Sequence, residues 1–179
     1  MHKVLLSTKS QSTRLKVFDL ELFDEHYYIK RDTIVEKITF DNRTFYAKFE
    51  RINEPLTPLL LEQHLSKQYI IAAPLVKNGH TNYLAIEYKG DEPERFYHLC
   101  KHLFSTLNIT DYHIYQGRDA DKIQVFLEVD NLSTKEAQKR LAPISDALQQ
   151  KITKQWKCLP STSLPEDYNI VILPYKLLD

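Results

Sequence analysis

The stretch Tyr83-Leu84-Ala85-Ile86-Glu87-Tyr88-Lys89-Gly90-Asp91 decides how this chain is read. Its apolar lead-in is that of a buried strand, and Gly90 ends it. Side chains two apart on a strand leave the same face. Glu87 and Lys89 therefore point together into whatever cleft borders the end of that strand. A pair of acids at this spacing could hold two metal ions; an acid beside a lysine cannot do so comfortably. That single residue governs the chemistry expected of the chain.

Working upstream, residues 69–76 form a strongly apolar strand, joined to the first by the polar turn Lys77-Asn78-Gly79-His80. Before it, Pro55 and Pro58 open a helix over about 57–67, with Leu59, Leu60, Leu61, His64 and Leu65 on its face. Aromatic and β-branched runs at 33–40 and 44–52 flank Asp41-Asn42, a hairpin signal. Residues 19–28 carry Leu20, Leu22, Phe23 and Tyr27 but fit neither the helical nor the strand period well. The opening stretch to about Lys16, rich in Ser, Thr, Lys and Gln, reads as partly mobile.

Downstream, Pro93 starts a helix whose Phe96, Leu99, Cys100, Leu103 and Phe104 recur at spacings of three and four. A strand at 111–116, a polar loop Gly117-Arg118-Asp119-Ala120-Asp121 and a strand at 122–129 follow. Ser133 or Thr134 then caps a helix to about 151, with Glu136 in its first turn and a kink expected at Pro143. Residues 168–174 make a final strand. Interleaved strands and helices with hairpins imply an α+β fold with a mixed or antiparallel sheet. The expected domain is single, with an N-terminal hairpin region over 1–55 and a core over 56–179. Strands 83–89, 111–116, 122–129 and 169–173 are expected in one sheet, with the Pro93 helix packed on it.

At 179 residues the chain can bury a substantial core. Three glycines argue against a glycine-rich phosphate loop. Lys+Arg and Asp+Glu balance at 24 each, so attraction to nucleic acid can come only from a local patch. Cys100 and Cys158 stand far apart and outside any CxxC, which implies neither a disulfide framework nor a structural zinc site. Cys100, on the apolar stripe of its helix, reads as a small buried group. No apolar run is long enough for a signal peptide or a membrane span. The expectation is a reduced cytoplasmic protein with no membrane partner.

Leu56-Thr57, His64-Leu65, Ile70-Ile71-Ala72-Ala73-Pro74-Leu75 and Leu84-Ala85-Ile86-Glu87-Tyr88-Lys89, in this order, resemble the start of the core of archaeo-eukaryotic primases, the prim-pol fold. In that family a first motif places acid-x-acid on a strand. A second leads from a Ser/Gly-rich turn to a His on a strand, and a third supplies a later Asp. The run from Tyr115 through Gly117 and Arg118 to Phe126 is similar to the second motif, and Asn169-Ile170-Val171-Ile172-Leu173-Pro174-Tyr175 to the family's closing strand. The chain also resembles a small family of epsilon-proteobacterial proteins of about this length.

The resemblance implies that Glu87 keeps the first acid while Lys89 replaces the second. It puts Lys122 at the His position, and the third-motif Asp near Lys154, Gln155 and Trp156, where no acid stands. Two-metal phosphoryl transfer needs carboxylates to position its cations. A lysine ammonium about 4 Å from a divalent ion repels it by about 8 kcal/mol at an effective dielectric of 20. Template-directed synthesis is therefore not expected.

A lysine facing the cleft can instead act as a fixed cation for phosphate. Glu87, Lys89, Arg118, Lys122 and Gln124, with Gln116 in support, form the expected nucleotide- or phosphate-binding set; no catalytic or metal-binding residue is assigned. The implied partner is a nucleotide or nucleic acid, and the candidate cofactor a nucleoside triphosphate. A plainer reading pairs Lys89 with Glu87 or Asp91, and Arg118 with Asp119 or Asp121, on a solvated surface. That describes a protein-interaction module keeping only the fold. A third alternative is an active nucleotidyltransferase using Glu87 with Asp91, Asp119 or Asp121.

Other polar groups have plain readings too. His64 matches a position of the resembled family, yet a lone His on an apolar helix is more often packed. Glu94, His98 and His102 have ligand-like spacing on one helix, but a solvated face is the simpler description. Tyr112 and Tyr115 could stack bases, although strand aromatics usually fill cores.

Overall fold

A computed structural model describes residues 14–179, so the reading of the opening stretch lies outside the described residues except for its last few positions. The first strands are β1 (Arg14–Val17), β2 (Leu20–Phe23) and β3 (Tyr27–Lys30). Residues 19–28 thus hold β2, a bend at 25–26 and the start of β3, a strand of a different sheet, which is why no single period runs through them. The Asp41-Asn42 signal is borne out. β4 (Glu36–Phe40) and β5 (Arg43–Ala47) pair around it, with Asp41 and Asn42 at φ 49° and 60° as a tight hairpin turn requires. β6 (Phe49–Ile52) leaves that ribbon and pairs with β3 instead.

Helix α1 (Pro58–Leu65) is capped by Thr57, whose hydroxyl accepts from the Leu60 amide. β7 (Ile71–Pro74), β8 (His80–Lys89), α2 (Pro93–Thr106), β9 (Tyr112–Gln116) and β10 (Lys122–Ser133) follow. Helix α3 (Thr134–Gln149) is capped by Ser133 and continues through Pro143. The chain closes with β11 (Trp156–Leu159), β12 (Ile170–Ile172) and β13 (Lys176–Leu177).

Three layers result, an α+β architecture. The central layer is an antiparallel five-stranded sheet in the order β11-β8-β10-β9-β13. On one face lie α2 and α3, burying Phe96, Cys100, Phe104, Leu141 and Leu148 against Ile86, Tyr88, Val125 and Trp156. On the other lies an antiparallel sheet ordered β12-β7-β3-β6, where Tyr27, Ile71, Ala73 and Val171 meet Tyr83, Ala85, Tyr115 and Phe126. The strand at 169–173 corrects an expectation. It does not join β8, β9 and β10, but pairs with β7 in the facing sheet. Edge strand β11, unforeseen in the sequence, takes its place beside β8.

Candidate functional site

Alternation along β8 builds the site. Leu84, Ile86 and Tyr88 face the helices. Tyr83 and Ala85 face the second sheet, so Glu87 and Lys89 continue that same face. There the apolar filling between the sheets gives out. Cross-strand register extends the change: Lys157, Glu87, Gln124 and Tyr115 form one rung across β11, β8, β10 and β9. Lys89 and Lys122 form the next.

The result is an open cavity of about 620 Å³ at one end of the sheets, within the size range of small-molecule sites. Lys30, Lys89, Arg118, Lys122, Lys154 and Lys157 line it, against Glu87 as its one lining carboxylate. A chain with no net charge has gathered six cations around one cavity. A group of acids lies elsewhere. Asp19, Glu21, Glu128 and Asp130 line a smaller hollow near the opposite end of β10, about 20 Å from Lys122 at strand rise.

All five residues expected from the sequence line this cavity: Glu87, Lys89, Arg118, Lys122 and Gln124. Gln116 does not; its register partner is Ile123, on the helix-facing side of the sheet. The pairings of the plainer reading are not formed, since among the described residues neither Lys89 nor Arg118 makes an ion pair with a carboxylate. Glu87 pairs instead with Lys157, Oε2 to Nζ 3.4 Å. Lys122 takes Asp119 at 3.1 Å, and this ammonium holds the Asp119 carboxyl below its usual range. Burial raises the Glu87 carboxyl above its usual range, with the Lys157 ammonium opposing.

Asp91, Asp119 and Asp121 do not line the cavity. Asp91 lies at the end of β8, where the Gln155 amide donates to it at 3.4 Å. No group of three or more His, Cys, Asp or Glu placed to hold a metal occurs among the described residues. His98 is exposed and 3.9 Å from Glu94, on a solvated face.

Sequence reading missed three of the cations, Lys30, Lys154 and Lys157. Lys30 arrives from β3, where its amide donates to Ile70 O across the cleft's edge. The other two arrive with β11. The available signal was the Trp156-Lys157-Cys158-Leu159 alternation, too short to stand out beside α3. Lys154, Gln155 and Trp156, named only as the place where an acid is missing, all line the cavity.

Two of the chain's three glycines stand at the cleft. A Cβ on Gly117 would lie 2.7 Å from Lys122 Cβ, so only glycine lets the loop lie against β10. Gly90 packs under the Gln155 amide, which also accepts from Tyr88 Oη at 3.2 Å. His64 proves structural. It is fully buried, its Nδ1 accepts from Ile71 N at 3.0 Å, and its Nε2 therefore donates to Leu173 O at 2.7 Å. Tyr115 is core, and Tyr112 packs on Phe104.

Among the described residues no helix is long and apolar enough to cross a membrane. No curated protein gives a significant match to the chain. Residues 13–82 match a family described as a domain of unknown function (DUF1882), a match that takes in Lys30 and Ile70 of the cleft and stops short of Glu87, Lys89, Arg118 and Lys122.

Proposed function

We propose that this cleft binds a phosphate-bearing ligand, a nucleotide or nucleic acid, without extending it. The supporting observation is the set of six cations around one cavity in a chain of zero net charge. Such a set carries repulsion in the empty protein, which a polyanion relieves. Divalent metal finds little to hold it here, with Glu87 the one lining carboxylate and Lys89 on the same face.

The prim-pol resemblance belongs to this proposal. It is supported where residues from the stretches resembling the first and second motifs line one cavity with Lys154, Gln155 and Trp156, the place where the third-motif acid is missing. It is weakened at the closing strand, which lies in the facing sheet. Two free cysteines suit the cytoplasmic setting that we also propose.

The test is a thermal shift with nucleoside triphosphate. A ligand at ten times Kd stabilises the fold by about 1.4 kcal/mol, and the shift should shrink as salt rises. Lys122→Ala should lose most of it. Lys101→Ala should keep it, because Lys101 lies on α2, behind the sheet, paired with Asp179 at 3.0 Å. No shift at millimolar triphosphate, or equal shifts in both variants, would leave the protein-interaction module as the better description.

A further inference from the structure

The basic cleft opens into a second hollow of about 530 Å³, and Lys30, Glu87, Lys157 and Ile172 line both. The chemistry of this annex is different. Its wall includes Phe45 and Tyr46 of β5, Phe49 of β6, and Tyr168. Phe45 stands edge-on to Tyr168 with centroids 6.0 Å apart, and Tyr46 is 59% exposed. β4 and β5 form a sheet of their own, joined to no other strand among the described residues, with most of their residues exposed. The hairpin thus holds rings out over a groove, where water meets apolar surface that a flat ligand would cover.

At the junction of the two hollows stands Glu87, with Gln124 of the basic cleft opposite it on β10. Gln124 is 6% exposed; its Nε2 donates to Ile172 O at 2.7 Å, and its Oε1 has no hydrogen-bond partner among the described residues. Glu87 Oε1 has none either. One N–H of the Gln124 amide is directed to Ile172 O, and the amide also lies near enough to Glu87 to favour its ionised form. Two buried oxygens, Glu87 Oε1 and Gln124 Oε1, left without a donor carry a desolvation cost. Phosphate cannot relieve it, since a phosphate oxygen also accepts. Hydroxyl groups can.

Along the groove lie the cations of the basic cleft, then the acceptors, then an annex whose rings stand among Lys48, Arg51, Glu36 and Asp167. Resting on the phosphate reading of the cleft, we propose that its ligand is a ribonucleotide unit laid along this order. Phosphate lies among Lys89, Arg118 and Lys122, the ribose hydroxyls donate to Glu87 and Gln124, and the base stacks in the annex at Phe45 and Tyr168. The same chemistry is offered by a free ribonucleotide and by one residue of a single-stranded RNA.

Calorimetric titration of the full chain at low salt tests this with a graded series. The probes are tripolyphosphate; ATP with its 2′-deoxy and 2′,3′-dideoxy counterparts; and single-stranded RNA and DNA of one sequence. ATP should bind on the order of tenfold more tightly than dideoxy-ATP, the worth of a hydroxyl donor on an otherwise unpartnered buried acceptor. It should exceed tripolyphosphate on the order of tenfold again, the worth of one base stack. Glu87→Ala should erase the ATP to dideoxy-ATP ratio while strengthening tripolyphosphate, because it removes the one lining carboxylate. Phe45→Ala should bring ATP down towards tripolyphosphate.

RNA bound above DNA, with ATP weak, assigns the unit to a strand; ATP bound tightly, with RNA weak, assigns it to a mononucleotide. The series on the unaltered protein decides the matter even if a variant fails to fold. Tripolyphosphate, ATP and dideoxy-ATP binding alike, or DNA matching RNA with ATP weak, overturns the ribonucleotide assignment and leaves the phosphate cleft standing. No binding by any probe, tripolyphosphate included, overturns both.

Discussion

Lys89 and Lys122 face each other directly across the antiparallel pair β8–β10. The Lys89 amide turns away to Gln155 O, and the Lys122 carbonyl accepts from Gly117 N. Theirs is thus a non-hydrogen-bonded pair, the geometry that brings side chains closest. Like charges so placed destabilise a sheet. Lys122 is partly compensated by Asp119, while Lys89 makes no ion pair among the described residues.

Lys89→Thr should therefore move two measurements in opposite directions. Without ligand, at low salt, the variant should be more stable than the parent by about 0.5 kcal/mol in urea unfolding, and the gain should fade with added salt. Its affinity for triphosphate should fall. A variant that loses stability and keeps its affinity would mean that Lys89 is an ordinary surface residue with a packed stem.

Primer synthesis and extension, assayed with magnesium or manganese, should give no product above background. Lys89 opposes a divalent ion beside Glu87, and none of Asp91, Asp119 and Asp121 lines the cavity. Template-dependent product that disappears in Glu87→Ala would falsify the non-catalytic reading.

The buried His64 should make stability depend on pH. Desolvation, and to a lesser extent the nearby Arg118, lower its pKa to about 4 from the ordinary 6.5. Between those values the unfolded chain binds a proton that the folded protein does not. Its contribution is complete above pH 6.5 and is lost as pH falls towards 4, by about 3 kcal/mol over the window. His64→Gln should be less stable at neutral pH, since Ile71 N and Leu173 O lose their shared partner. Its stability should also fall less steeply than the parent's between pH 6.5 and 4. Parallel profiles would show that His64 does not carry this proton linkage.

Gly117→Ala should cost roughly 1–3 kcal/mol, the usual cost of forcing an extra carbon into a packed position. The added carbon meets Lys122 Cβ, which is fixed to the strand and cannot swing aside. The strand must shift, so triphosphate affinity should fall with stability. An alanine variant with unchanged melting temperature and affinity would show that the loop relaxes freely.

Much of this was legible in local sequence. Period-two alternation put Glu87 and Lys89 on one face, Asp41-Asn42 marked a tight turn, and the stripe from Phe96 to Phe104 placed α2 on the sheet. These features depend on residues within a few positions of one another, where sterics and periodicity act directly. The same locality explains the failures. Residues 19–28 hide a change of sheet at a bend, and β11 is four residues long with a lysine in it. The strand at 169–173 is apolar enough to suit either sheet, and pairing with β7 chose between them.

What the sequence by itself determined was the α+β class, most elements, and the pairing of an acid with a lysine where two acids would serve metal. Only the tertiary structure decided that Lys30, Lys154 and Lys157 join Lys89, Arg118 and Lys122 around one cavity, and that the β4–β5 hairpin lays its rings beside it. Charge is counted along the chain, but electric field is summed in space. Balanced totals of 24 and 24 gave no hint of a basic cavity until antiparallel pairing brought lysines from distant parts of the chain to one end of the sheets with Glu87 as the one lining carboxylate.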